Sequence, residues 1–186
     1  MQLGFYFDQS RCSGCLTCVV ACKDWHDIPA GPVSRINIHT IEQGQFPNVA
    51  VTFIASLCYH CADPACISAC PGGAITKLKE NGIVVVDKEA CLGIESCGAC
   101  QTACPYSVLK FEAKPDARME KCDFCLDRWI EGKKPICVEA CPMRALDAGP
   151  LDELQSKYGK KAKIGNVVGF SFDEVSKPSI IFNAKV

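Results

Sequence analysis

No apolar run in this chain approaches the roughly 20 residues of a membrane-spanning helix. The longest, Ile83-Val84-Val85-Val86 and the segment from Val49 to Leu57, are of strand length, so membrane contact is expected only through another subunit. There is no basic run either: 20 Lys and Arg stand against 21 Asp and Glu, which excludes the electrostatic footprint of a nucleic-acid binder. Met1 to Asp8 contain no charged leader, apolar h-region or twin-arginine pair. The expectation is a cytoplasmic protein, or one exported with a partner that bears the signal. No catalytic constellation stands out, so a non-catalytic role is expected.

What the chain has is cysteine. Sixteen in 186 residues is far above globular usage, and implies an interior held by more than side-chain packing. They fall into four groups: Cys12, Cys15, Cys18, Cys22; Cys58, Cys61, Cys66, Cys70; Cys91, Cys97, Cys100, Cys104; and Cys122, Cys125, Cys137, Cys141. Each ends in a C-x3-C step and none is left over.

Three chemistries compete for such thiols. Disulfides suit small secreted domains, but cysteines at i, i+3 and i+6 crowd around one compact object and cannot all pair with distant partners. Zinc sites use two separated C-x2-C pairs, whereas here a full C-x2-C-x2-C-x3-C run occurs. Three groups end in Cys-Pro, at Cys70-Pro71, Cys104-Pro105 and Cys141-Pro142. That is the bacterial ferredoxin pattern, in which three close cysteines hold one [4Fe-4S] cluster and the fourth crosses to the other cluster of a pair. The arithmetic allows four clusters with no open iron, which also argues against a Lewis-acid role. Each cluster on four thiolates adds about −2, taking the holoprotein to about −9.

The two-cluster rule predicts a ligand assignment. If the middle groups pair together, the outer groups pair around them. The expected sets are Cys12, Cys15, Cys18 with Cys141; Cys58, Cys61, Cys66 with Cys104; Cys91, Cys97, Cys100 with Cys70; and Cys122, Cys125, Cys137 with Cys22. The expected fold is α+β, two interleaved bacterial-ferredoxin-like dicluster units with short helices and β-hairpins. Residues 1–35 plus 110–150 form the outer unit and 58–109 the inner one. Ala74 to Leu78 and Ile83 to Asp87 flank Glu80-Asn81-Gly82 and read as a hairpin. Residues 36–57 bridge the units as two strands, from Val33–Ile41 and Val49–Ile54, around Gly44-Gln45-Phe46-Pro47. Leu151 to Tyr158 has helical spacing closed by Gly159. The extension 151–186, strand-like at Val167–Phe172 and Ile180–Phe182, is expected to pack outside the fold or on a partner.

On these motifs the chain resembles the electron-transfer (beta) subunits of the dimethyl-sulfoxide-reductase superfamily over roughly residues 3–150. The carrying runs are Cys12-Ser-Gly-Cys15-Leu-Thr-Cys18-Val-Val-Ala-Cys22-Lys23-Asp24, Cys58-Tyr-His-Cys61-Ala-Asp-Pro-Ala-Cys66, and Lys121-Cys122-Asp123-Phe124-Cys125 followed by Cys137-Val-Glu-Ala-Cys141-Pro142. The resemblance implies a large partner with a molybdenum or tungsten bis-pterin cofactor, and electrons passing between it and a quinone-reacting membrane subunit or a soluble carrier. One departure is the third group, where Leu-Gly-Ile-Glu-Ser separates Cys91 from Cys97, a longer gap than the family's. Two other readings stay open: a stand-alone polyferredoxin or hydrogenase- or formate dehydrogenase-linked carrier, and a zinc- or cluster-stabilised scaffold without redox work.

Among the remaining residues, His60 is expected to be a partly exposed loop residue, with a tuning or proton-moving role as the alternative. His26 and His39 carry less signal. Lys23, Lys121 and Arg128 adjoin cysteine groups, and either offset cluster charge or sit on the surface. Trp25, Tyr59, Tyr106 and Trp129 read as covers that keep water from the clusters.

Overall fold

A computed structural model describes residues 1–159 and 164–185. Its elements are short. Seven strands run β1 Leu3–Asp8, β2 Ile36–Gln45, β3 Asn48–Leu57, β4 Ile75–Lys77, β5 Val84–Val86, β6 Leu146–Pro150 and β7 Ile180–Asn183. Six helices run α1 Thr17–Trp25, α2 Ala65–Ser68, α3 Ala99–Ala103, α4 Leu126–Ile130, α5 Ile136–Glu139 and α6 Leu151–Tyr158. The architecture is mixed α and β, with short helices and three small sheets.

Helices of four or five residues do not stand alone in water, so their neighbours hold them. Cys18 and Cys22 lie in α1, Cys66 in α2, Cys100 in α3 and Cys137 in α5. The Cys-Pro steps set where these turns stop, because proline drives the preceding residue out of the helical region. Cys104 closes α3 in an extended conformation, φ −78° and ψ 113°.

The central sheet has the order β6-β1-β7, with β6 antiparallel and β7 parallel to β1. All six residues of β1 are buried. Period two still sorts them: Leu3, Phe5 and Phe7 face the large core that contains the cysteines, while Tyr6 faces α6 with Ile181 and Leu154. On that second face the Tyr6 and Tyr158 rings stack at 3.5 Å between centroids.

The two outer pairs of strands are hairpins. β4 and β5 register Ile75 with Val86, and β2 and β3 register from Ile36↔Leu57 to Gln45↔Asn48 around Phe46-Pro47. The inner end of the longer hairpin is buried at Ile36, Ile54, Ala55 and Leu57, whereas Phe46 at its tip is 92% exposed.

The C-terminal segment departs from its expected place outside the fold. Ile180, Ile181 and Phe182 are buried to within 1%, because β1 has a free parallel edge whose N–H and C=O groups need partners once buried. Val167–Phe172 is not a strand. An isolated Val167–Phe170 bridge closes a turn at Gly169, φ +80°, where a Cβ would strike the Ile41 side chain.

Candidate metal centres

All sixteen cysteines are free thiols. Three cavities each gather four of them. Cys12, Cys15, Cys18 and Cys141 line one with Phe7, Ile38 and Leu146. Cys58, Cys61, Cys66 and Cys104 line a second with Tyr59, Val84 and Leu109. Cys70, Cys91, Cys97 and Cys100 line a third with Ile75, Phe111 and Met119. The remaining four, Cys22, Cys122, Cys125 and Cys137, act on one another electrostatically in the interior: Cys122 is within reach of Cys137 and Cys22, and Cys137 of Cys125 and Cys22.

The sets adjoin in a row. Cys18 and Cys22 lie one turn apart on α1, linking the first set to the buried one. Cys122 of the buried set acts on Cys58, and Cys66 of the next acts on Cys100 of the last. These links connect the set containing Cys12, through the buried set and the set containing Cys58, to the set containing Cys91.

Among the described residues, His26, Asp123 and Cys125 bring three ligand atoms within 4.8 Å of one another. Four thiols around each apolar-lined cavity are the donor set that an iron–sulfur cube takes.

Burial sets the resting state of these thiols. It pushes Cys18, Cys22, Cys61 and Cys66 up to about 12, with neighbouring cysteines adding to the effect. Burial first, then neighbouring charges, also raise Cys122 and Cys137 well above the ordinary thiol range. Exposed Cys15 goes the other way, held down by the hydroxyl of Thr17 at 3.3 Å. Backbone N–H groups already aim at sulfur, from Phe124 to Cys122 at 3.4 Å and from Ala145 to Cys141 at 3.3 Å.

The loops that present the thiols need unusual backbone. Gly14 has φ +70° and lies so close over Phe53 that a Cβ would collide with the ring. The longer Cys91–Cys97 gap closes as a turn, with the Cys97 N–H donating to Gly93 O at 3.0 Å and Ile94 N–H to Ala117 O at 3.1 Å.

His60 is not a partly exposed loop residue. It is fully buried, its Nδ1 accepts the Val84 N–H at 3.0 Å, and its Nε2 has no hydrogen-bond partner. Burial, then the charges of Lys121 and Lys77, hold it well below the ordinary histidine range. Lys121 is 2% exposed, its ammonium donating to the carbonyls of Val84 and Cys122. Arg128 is also buried, bonded to the Lys134 carbonyl and paired with Glu139, with its guanidinium 4.5 Å over the Trp25 ring. Lys23 stays at the surface on the carbonyls of Pro29 and Gly31. Tyr59 is buried edge-on to Tyr106, and Trp129 packs on Phe124. Trp25 is 43% exposed and covers less. His39 borders an open groove with Tyr59 and Tyr106.

A polar cluster at the buried set has no counterpart among the sequence expectations. Arg35 donates to Asp123 at 2.7 Å and to Glu120 at 3.1 Å, and lies 3.2 Å from His26 Nδ1. His26 Nε2 stands 3.4 Å from the Cys125 sulfur. Burial chiefly lowers the His26 pKa; Asp123 opposes that effect and Arg35 adds to it. No local pattern marks residues so far apart in the sequence.

A 4Fe-4S dicluster domain family matches residues 49–151. The B subunit of the anaerobic dimethyl sulfoxide reductase of Escherichia coli is 44% identical, the match covering 97% of this protein and 87% of the relative. The corresponding B subunit of Haemophilus influenzae is 44% identical over 88% of this protein and 81% of the relative. Protein NrfC of Escherichia coli is 40% identical over 86% of this protein and 70% of the relative.

Proposed function

This protein belongs to the 4Fe-4S dicluster iron–sulfur family that includes the B subunits of the anaerobic dimethyl sulfoxide reductases, and from that premise we propose an electron-transfer subunit with four [4Fe-4S] clusters. The ligand sets are Cys12, Cys15, Cys18 and Cys141; Cys22, Cys122, Cys125 and Cys137; Cys58, Cys61, Cys66 and Cys104; and Cys70, Cys91, Cys97 and Cys100. Each group's fourth cysteine crosses to another group's cluster, which interleaves two ferredoxin-like units, 1–35 with 110–150 and 58–109. The observation that carries this reading is the gathering of twelve thiols into three apolar-lined fours, each with one cysteine crossing from another group.

When bound, such clusters accept and pass on single electrons at potentials tuned by hydrogen bonds, charge and solvent exposure. The protein's part is to space the sets in a row, exclude water with Phe7, Tyr59, Leu109, Phe111 and Met119, and place Lys121 as a buried positive charge. No described helix is long and apolar enough to cross a membrane. The partner we propose at one end of the row is a large molybdenum or tungsten bis-pterin catalytic subunit. At the other stands a quinone-reacting subunit or a soluble carrier.

Iron and sulfide analysis of protein purified without oxygen tests the count. About sixteen of each per protein are expected, whereas about four zincs without sulfide would overturn the redox reading. Co-purification with a large pterin-bearing subunit is expected; a protein that stays soluble and redox-active alone would favour a stand-alone polyferredoxin.

A further inference from the structure

The hydrogen-bond relay Glu120/Asp123–Arg35–His26–Cys125 determines where the proton on His26 sits. A guanidinium has only donors. Arg35 Nη1 therefore donates to His26 Nδ1 at 3.2 Å, as well as to Asp123 at 2.7 Å. With Nδ1 accepting, the ring hydrogen is on Nε2, the atom 3.4 Å from the Cys125 sulfur. Asp123 Oδ1 is the other acceptor near that hydrogen, at 3.7 Å, and it already takes the Cys125 N–H at 2.9 Å. An iron-bound thiolate sulfur has no hydrogen to give, so it can only accept. Cys125 is 3% exposed, so water does not compete for the sulfur. The same accounting removes the alternative that His26, Asp123 and Cys125 form a separate cation site, because no lone pair on the ring is free.

We propose that His26 is a positioning residue for Cys125, donating Nε2–H to its sulfur and raising the reduction potential of the cluster held by Cys22, Cys122, Cys125 and Cys137. The inference rests on the four-cluster reading above. A hydrogen bond to a ligand sulfur stabilises the more negative, reduced state more than the oxidised one. Arg35 fixes the tautomer, and Glu120 and Asp123 fix Arg35, so the donor arrives already oriented.

The test is an EPR-monitored redox titration of the holoprotein, in its native complex, beside His26→Leu and His26→Gln. One midpoint potential is expected to fall in His26→Leu, with iron content and the other three potentials unchanged. His26→Gln, which keeps an N–H donor, is expected to recover part of the loss. Four unchanged potentials in a fully loaded His26→Leu protein, or equal shifts in both variants, would overturn the proposal. Pulsed EPR of the wild-type protein with 15N-histidine, in H2O and D2O, needs no variant. Coupling of one reduced cluster to a histidine nitrogen and an exchangeable proton supports the role, and its absence from every cluster refutes it. Wild-type iron near twelve per protein, with the Cys22 set empty, would instead bring down the four-cluster reading and this inference together.

Discussion

Cys141, the last residue of the last cysteine group, shares a cavity with Cys12, the first residue of the first. Cys137, four residues earlier, lies outside that cavity, and the cysteines acting on it most are Cys125 and Cys22. Neighbours in sequence thus serve different sets. Substituting Cys141→Ala and Cys12→Ala should alter the same EPR signal of the reduced protein, each at a cost of up to about four irons. Cys137→Ala should alter a different signal. If Cys141→Ala and Cys137→Ala disturbed one common signal, the crossing of ligands would be wrong.

The buried Lys121 ammonium acts on the Cys66 thiol against the upward push of burial. Lys121→Met should lower the potential of a nearby cluster, as loss of a positive charge disfavours the reduced state. At an effective dielectric of about 20 the change is on the order of 1–2 kcal/mol, or tens of millivolts. Redox titration of the variant checks the sign; a rise in potential would contradict it.

Phe182 of β7 is fully buried, 4.7 Å from the Phe170 ring and edge-on to Phe7. Phe182→Ala should destabilise the protein by about 3–5 kcal/mol, and a variant ending before Ser179 should not fold. Denaturant unfolding measures the first, and expression of soluble cluster-bearing protein the second. A small cost would mean that β7 is an outer layer after all.

Asp147 is buried beneath α6. Burial alone would raise its pKa, but hydrogen bonds from Lys134, Lys157 and Tyr158 outweigh it and bring the carboxyl down to about 2. Because the folded value lies below the ordinary one, the stabilisation is present above about pH 4 and is lost as pH falls through about 2. Asp147→Asn should therefore cost about 1–2 kcal/mol, discounted for the exposed lysines. That difference from wild type should stay flat between pH 7 and pH 5, where the clusters tolerate measurement. A difference that changed across that interval would point to another group.

Much of the local structure was legible in the residues. The Asn-Gly step between apolar runs marks the β4–β5 hairpin, the partial alternation of Val33–Ile41 marks β2, and the spacing of Leu151–Tyr158 marks α6. Cysteine spacing is readable for the same reason: a loop wrapped around a small object must return a ligand every third or fourth residue. β1 was not legible, since a strand buried on both faces, Leu3-Gly-Phe-Tyr-Phe-Asp, loses the polar alternation that reveals strands. The burial of His60, Lys121 and Arg128 was not legible either, because it depends on what folds over a loop.

By itself, then, the sequence determined the chemistry: sixteen thiols in four loops, with proline ending three of them, and hairpins and a helix set by local pattern. The crossing rule already named which thiols should gather, and three cavities hold those fours; the tertiary structure alone decided how the sets neighbour one another. It also decided that residues 180–183 complete the sheet at β1, and that Arg35 orients His26 toward Cys125. Those are contacts between segments far apart in the sequence, formed because buried backbone and charged groups must find partners wherever the fold brings them. No spacing rule in a linear sequence records that search.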